Sequence, residues 1–106
     1  MTFYVICAGA QLIFHRKRYY DDGVIAELTL WLVPKLVRGS GHMFKYSLFY
    51  GRPEERLIAY DNEPGKGDHR HLRNREEPYP FSTPNQLIRD FLADVRRLRR
   101  DAMRDG

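Results

Sequence analysis

Residues 11–33 read QLIFHRKRYYDDGVIAELTLWLV, and the fold class turns on this stretch. The Asp22-Gly23 pair suits the positive φ angles of a type I′ turn and has β-rich runs on both sides, so it predicts a hairpin. Upstream, residues 11–20 read as a strand that becomes basic through Arg16, Lys17 and Arg18. Downstream, over residues 24–33, Val24, Ala26, Leu28, Leu30 and Leu32 share one face of an extended chain while Glu27, Thr29 and Trp31 take the other. That period of two is the mark of a half-buried strand. Pro34 ends it, having no N–H to give to a ladder.

Working outward, Gly39-Ser40-Gly41 predicts a connecting loop within residues 35–41. In residues 43–50, Phe44, Tyr46, Leu48 and Tyr50 alternate with Lys45 and Ser47, which predicts a third strand with one apolar and one mixed face. A fourth, over about 56–61, brings Leu57, Ile58 and Tyr60 into the sheet and delivers Asp61 and Asn62 at its end. Residues 63–80 hold Pro64, Pro78 and Pro80 with Gly65 and Gly67 among mostly polar positions, without helical periodicity, so 62–82 reads as a polar loop. Thr83-Pro84-Asn85-Gln86 then supplies an N-cap, a proline at the first helical position and a capping-box glutamine. Leu87, Ile88, Phe91, Leu92, Val95 and Leu98 follow at three- and four-residue spacing, a stripe to be buried against the sheet or a partner, opposite Arg89, Arg96, Arg97, Arg99 and Arg100. The expected fold is α+β. It is one domain over residues 1–106, with an antiparallel sheet of four or five strands in meander order over about 3–61, the loop 62–82, and one C-terminal helix over 83–103.

A length of 106 residues with 42% hydrophobic content fills one core and leaves no room for a second. The net charge of +4 favours an anionic partner such as RNA, DNA or an acidic protein. Cys7 is the sole cysteine, which excludes an intrachain disulfide and a cysteine-rich zinc site and fits a reducing cytosol, where it is expected to be a buried core atom. The apolar residues 1–10 have no basic flank and are too short for a span, so neither a signal peptide nor a membrane anchor is expected.

The densest run of titratable groups is Tyr60-Asp61-Asn62-Glu63-Pro64-Gly65-Lys66-Gly67-Asp68-His69-Arg70-His71. If residues 68–72 are extended, His69 and His71 project from one side with Cα atoms about 6.6 Å apart, and Asp68 and Arg70 face the opposite way. Two imidazoles on one side suit phosphodiester cleavage: one takes the proton of an attacking 2′-hydroxyl and the other protonates the leaving oxygen. Lys66 or Arg70 then steadies the developing phosphorane charge. The same geometry can bind a divalent metal through both histidines and Asp61, although the spacing matches no zinc signature, and no cofactor is expected. The glycines flanking Lys66 allow backbone amides to approach a phosphate, a far weaker signal than a P-loop. The plain alternative is a solvated connection whose histidines touch nothing. His15 and His42 are isolated histidines in or beside strands, and a structural role is expected for each. The helix arginines either meet nucleic-acid phosphates or form a salt-bridged solvent face with Asp90, Asp94 and Asp101. Tyr46, Phe49, Tyr50 and Tyr60 either stack bases or fill the core.

Taken in order, Asp22-Gly23, Trp31 to Pro34, His42 to Tyr46, Tyr60-Asp61-Asn62, Gly65 to His71, Pro78-Tyr79-Pro80-Phe81, Asp90-Phe91 and Asp94-Val95 resemble the TumE family of prokaryotic toxin-antitoxin toxins. The resemblance runs from Gln11 to about Arg97, and its most specific part is the Tyr-Asp-Asn segment with the histidine cluster after it. It implies a cytoplasmic toxin encoded beside a helix-turn-helix antitoxin that holds it inactive. Asp61, Asn62, His69 and His71 fall on the family's characteristic positions, as do Lys45 and Tyr46, while Asp68 fits one variant of the pattern.

The expectation is therefore a toxin that acts on RNA by ribonuclease-type cleavage. His69, His71, Asp61 and Lys66 are the catalytic candidates, and Asn62, Arg70, Lys45, Tyr46 and Tyr60 the substrate-binding ones. The alternative is a non-enzymatic module that grips a nucleic acid or an acidic protein. A homodimer through the helix stripe or residues 1–10 is a further option. Those ten residues extend beyond the family pattern, either as an extra edge strand or as a partner contact.

Overall fold

The computed structural model describes residues 9–105. The expectations for Cys7, for residues 1–8 as an edge strand or partner contact, and for a sheet beginning near residue 3 lie outside them. Among the described residues, six strands form a single antiparallel meander in chain order: β1 (Gln11–Tyr19), β2 (Ile25–Leu32), β3 (Phe44–Arg52), β4 (Glu55–Glu63), β5 (Gly67–Leu72) and β6 (Arg75–Pro78). One helix, α1 (Pro84–Asp105), follows. The expected class and meander order are found, with six strands in place of four or five.

The correction falls on 62–82, where the expected loop is largely the β5–β6 hairpin. Periodicity of apolar residues is blind to this strand because β5 turns ions, not hydrocarbon, toward the core. Asp68 accepts from the Tyr46 hydroxyl at 2.6 Å, and Arg70 donates to Glu77 at 2.9 Å and to the Tyr60 hydroxyl at 3.2 Å. Pairing of this kind is what lets such groups leave water.

The β1–β2 hairpin is present, but its turn is not type I′. Gly23 is at φ 85°, Asp22 is not in the left-handed region, and the Gly23 N–H donates to the Tyr20 carbonyl at 3.1 Å. This is a three-residue loop in which a type I turn is followed by a left-handed glycine. The Asp22 carboxylate accepts from the Val24 N–H at 3.2 Å and holds the loop closed.

The helix lies across β3 and β4 and covers one face of the sheet. Leu87, Phe91 and Val95 are buried there against Leu30, Tyr46, Leu48, Ile58 and Tyr60. Each of the three contributes on the order of 1.5–3 kcal/mol. The stripe is thus spent within the chain. Thr83 Oγ1 accepts the Gln86 N–H at 3.1 Å as the N-cap, but the Gln86 side chain turns to Asp90 at 2.7 Å instead of closing a capping box. Asp94, expected on a solvent face, is buried instead, accepting from the Tyr60 hydroxyl and from Arg97 at 3.2 Å.

Candidate functional site on the sheet face away from the helix

Since α1 takes one face, the chemistry concentrates on the other. Ladder register sets His15, Thr29, Ser47, Asp61, His69 and Pro78 in one row across all six strands. Lys17, Glu27, Phe49, Ala59, His71 and Glu76 form the next row. Partners directly opposite in antiparallel strands point the same way, so Asp61, His69, His71 and Glu76 share one patch. The two imidazole centroids are 5.2 Å apart with the rings nearly perpendicular, while Asp68 and Arg70 face the helix side, as an extended β5 requires.

His69 is held at both ends. Its Nδ1 lies 3.0 Å from the Gly67 carbonyl, which can only accept, so Nδ1 carries a proton there. Its Nε2 then faces Asp61 Oδ1 at 2.6 Å. That oxygen is buried and, despite the short distance, receives no well-directed N–H. His71 is equally enclosed, and burial, followed by the nearby Arg56 cation, pushes its pKa below the ordinary histidine value. It is therefore neutral at pH 7, with a free lone pair. One carboxylate straddles both rings, with Glu76 Oε1 3.8 Å from His69 Nε2 and Glu76 Oε2 3.9 Å from His71 Nδ1.

Cations ring the patch. Lys66 reaches Glu76 at 3.0 Å, a contact that raises the lysine pKa and lowers that of the glutamate. Lys45, opposite Trp31 in the ladder, is partly buried on the same face. Burial lowers its pKa, and Asp61 and Glu63 pull it partly back. A cleft of about 230 Å³ opens beside the patch, lined by Lys66, Asp68, His69, Glu76, Glu77 and Pro78.

The expected site residues therefore separate. Asp61, His69, His71, Lys66 and Lys45 come together on the face away from the helix. Tyr46, Tyr60 and Asn62, expected to hold substrate, are fully enclosed on the other side of the sheet, and Arg70 lies among them, bonded to Tyr60 and Glu77. Desolvation raises the pKa of both tyrosines, with hydrogen bonds to Asp68 and Asp94 adding to it, so the hydroxyls stay protonated. Asn62 accepts the Tyr46 N–H at 2.9 Å and donates to the Phe44 carbonyl at 2.6 Å. The Gly-Lys-Gly amides are also engaged internally: Gly65 N–H donates to the Arg38 carbonyl at 2.7 Å and Lys66 N–H to the Glu63 carbonyl at 3.0 Å.

His42 has the structural role expected of it. Its Nδ1 accepts the Phe44 N–H at 3.1 Å, its Nε2 donates to Asp68 at 2.8 Å, and its ring stacks on Phe81 with centroids 3.9 Å apart. The reading from sequence missed Glu76, Arg56 and Ser47. A short turn at Arg73-Asn74 was the available signal for Glu76, because a hairpin there sets it opposite His71.

A family model described as Toxin TumE matches residues 9–99, a span that contains every member of the patch. The chain belongs to the TumE toxin family. As a TumE toxin it is the toxic half of a toxin-antitoxin pair, which implies an antitoxin partner. No curated protein and no solved structure matches the chain. Among the described residues of this TumE toxin, no helix is long and apolar enough to cross a membrane.

Proposed function

We propose that this TumE toxin cleaves RNA in the cytoplasm at the Asp61–His69–His71 patch and is held inactive by a helix-turn-helix antitoxin. The observation that carries the reading is the pairing of two unlike imidazoles, both enclosed, on the sheet face turned away from the helix: His71 neutral with a free lone pair, His69 fixed with its Nε2 against a carboxylate. His71 takes the proton of a ribose 2′-hydroxyl as that oxygen bonds to phosphorus. The bond from phosphorus to the 5′-oxygen breaks, and a proton taken up on His69 Nε2, beside the Asp61 carboxylate, goes to the leaving oxygen. The products are a 2′,3′-cyclic phosphate and a 5′-hydroxyl. Lys66 and Lys45 supply positive charge beside the phosphorane, and acid–base assistance of this kind contributes about 10²–10⁴-fold.

The test is incubation of purified full-length toxin with defined RNA oligonucleotides and analysis of the new ends. Cyclic-phosphate ends that disappear in His71→Gln and His69→Gln proteins of unchanged stability support the reading. Intact RNA together with salt-sensitive binding that survives both substitutions would instead identify a non-enzymatic module.

A further inference from the structure

We propose that Asp61, His69, His71 and Glu76 form a closed, inhibitory site for a divalent zinc-like cation. The inhibitory part rests on the reading above. Three of the four residues already offer one ligand atom each within 4.8 Å of one another. The closest pair, His69 Nε2 and Asp61 Oδ1, is 2.6 Å apart, so the set brackets the roughly 3.3 Å that separates two ligands at zinc distances in a tetrahedron.

The electrostatics point the same way. Because His69 Nδ1 donates to the Gly67 carbonyl, a neutral ring turns its lone pair toward Asp61 Oδ1, an acceptor that is itself buried without a directed donor. Two acceptors that close repel unless a positive charge lies between them, and either a proton or a metal ion supplies one. The Nδ1–H to carbonyl bond is also how metal-binding histidines are commonly oriented.

Glu76 decides the kind of site. Its two oxygens lie 3.8 and 3.9 Å from the two rings, so a shift of about an ångström completes four-coordination from β4, β5 and β6. A site closed by four protein ligands keeps no position for substrate or water. The ion also occupies the lone pairs that proton transfer needs, so bound metal and cleavage exclude one another. Lys66, now 3.0 Å from Glu76, is displaced on binding.

Calorimetric titration of chelator-treated full-length protein with zinc chloride tests this directly. Visible absorption of the cobalt(II) form reports tetrahedral coordination. One ion per chain is expected, weakened at least about 100-fold by Asp61→Asn or His71→Gln and about 10-fold or more by the surface change Glu76→Gln, which leaves the core untouched. A cooperative thermal melt of each zinc-free variant checks that it folds. No binding, or affinity indifferent to these substitutions, overturns the site. Zinc should abolish RNA cleavage and a chelator restore it. Cleavage that requires zinc overturns the inhibitory role and the proton-transfer roles together, whereas tight single-site binding by a protein that never cleaves RNA overturns the RNA reading and leaves the ion site standing.

Discussion

Replacing Asn62 by alanine separates a substrate-binding residue from a structural one. The β3–β4 ladder begins at Ser47 opposite Asp61, so the Tyr46 N–H and the Phe44 carbonyl lie beyond its backbone pairs. The Asn62 carboxamide takes up both, at 2.9 and 2.6 Å, in a fully buried position. Truncation to Asn62→Ala strands a buried donor and a buried acceptor at about 1–3 kcal/mol each, so a loss of about 3–4 kcal/mol is expected. That is a large share of the 5–15 kcal/mol typical of a domain. Urea unfolding followed by the fluorescence of Trp31, the sole tryptophan, measures it. With a slope of about 1.5 kcal/mol/M the midpoint falls by about 2 M. Asn62→Asp sharpens the test, because a carboxylate still accepts from Tyr46 but opposes the Phe44 carbonyl. It should be nearly as damaging at pH 7. A stability change under about 0.5 kcal/mol, accompanied by loss of toxicity in Asn62→Ala, would refute the argument and return Asn62 to the substrate site.

Asp94→Ala should cost about 2–3 kcal/mol in the same assay, because it strips the Tyr60 hydroxyl of its acceptor and leaves Arg70, already bonded to Glu77, only half paired. Gly67→Ala should be more damaging than Gly23→Ala: both glycines are at positive φ, but a Cβ at 67 meets the Gly39 carbonyl oxygen at 3.0 Å while one at 23 meets nothing within 4 Å. Thermal melts should show about 1 kcal/mol for the Gly23 change and about twice that for Gly67. His71 has a lowered pKa in the fold, so the unfolded chain binds a proton first as pH falls through the ordinary histidine value. Stability contributed by neutral His71 is therefore present above that value and lost below it, and His71→Gln should flatten the slope of stability between pH 7 and pH 5.

Where hydrocarbon alternates, the fold was plain in the residues. Ala26, Leu28 and Leu30 in β2, and Tyr46, Leu48 and Tyr50 in β3, are buried as their period of two requires. The helix followed in the same way from Leu87, Phe91 and Val95. Tyr60 and Asn62 could not be placed so easily, since their alternation with Asp61 fixes only that they lie on opposite faces. Which face the helix covers depends on long-range packing, and that choice put Asn62 inside and Asp61 outside.

Strand β5 was hidden for a related reason, and it carries half of the site. Its inward side chains, Asp68 and Arg70, are drawn from water only because Tyr46, Tyr60 and Asp94 wait for them on β3, β4 and α1, with His42 in the connection before β3. No window of local sequence contains those partners, so the segment has the composition of a loop. The same pairing fixes the outward residues. With Asp68 and Arg70 each hydrogen-bonded on the helix side, β5 cannot slip by one residue without breaking those bonds, so His69 and His71 are locked facing Asp61. The ionic side of β5, turned to the helix, thus holds the imidazole side in register. Breaking it at Arg70 should loosen the imidazoles without touching them, and Arg70→Met, which keeps the stem and removes the ion pairs, should lower toxicity more than it lowers stability. Equal losses in both would show that β5 is held by its ladder alone.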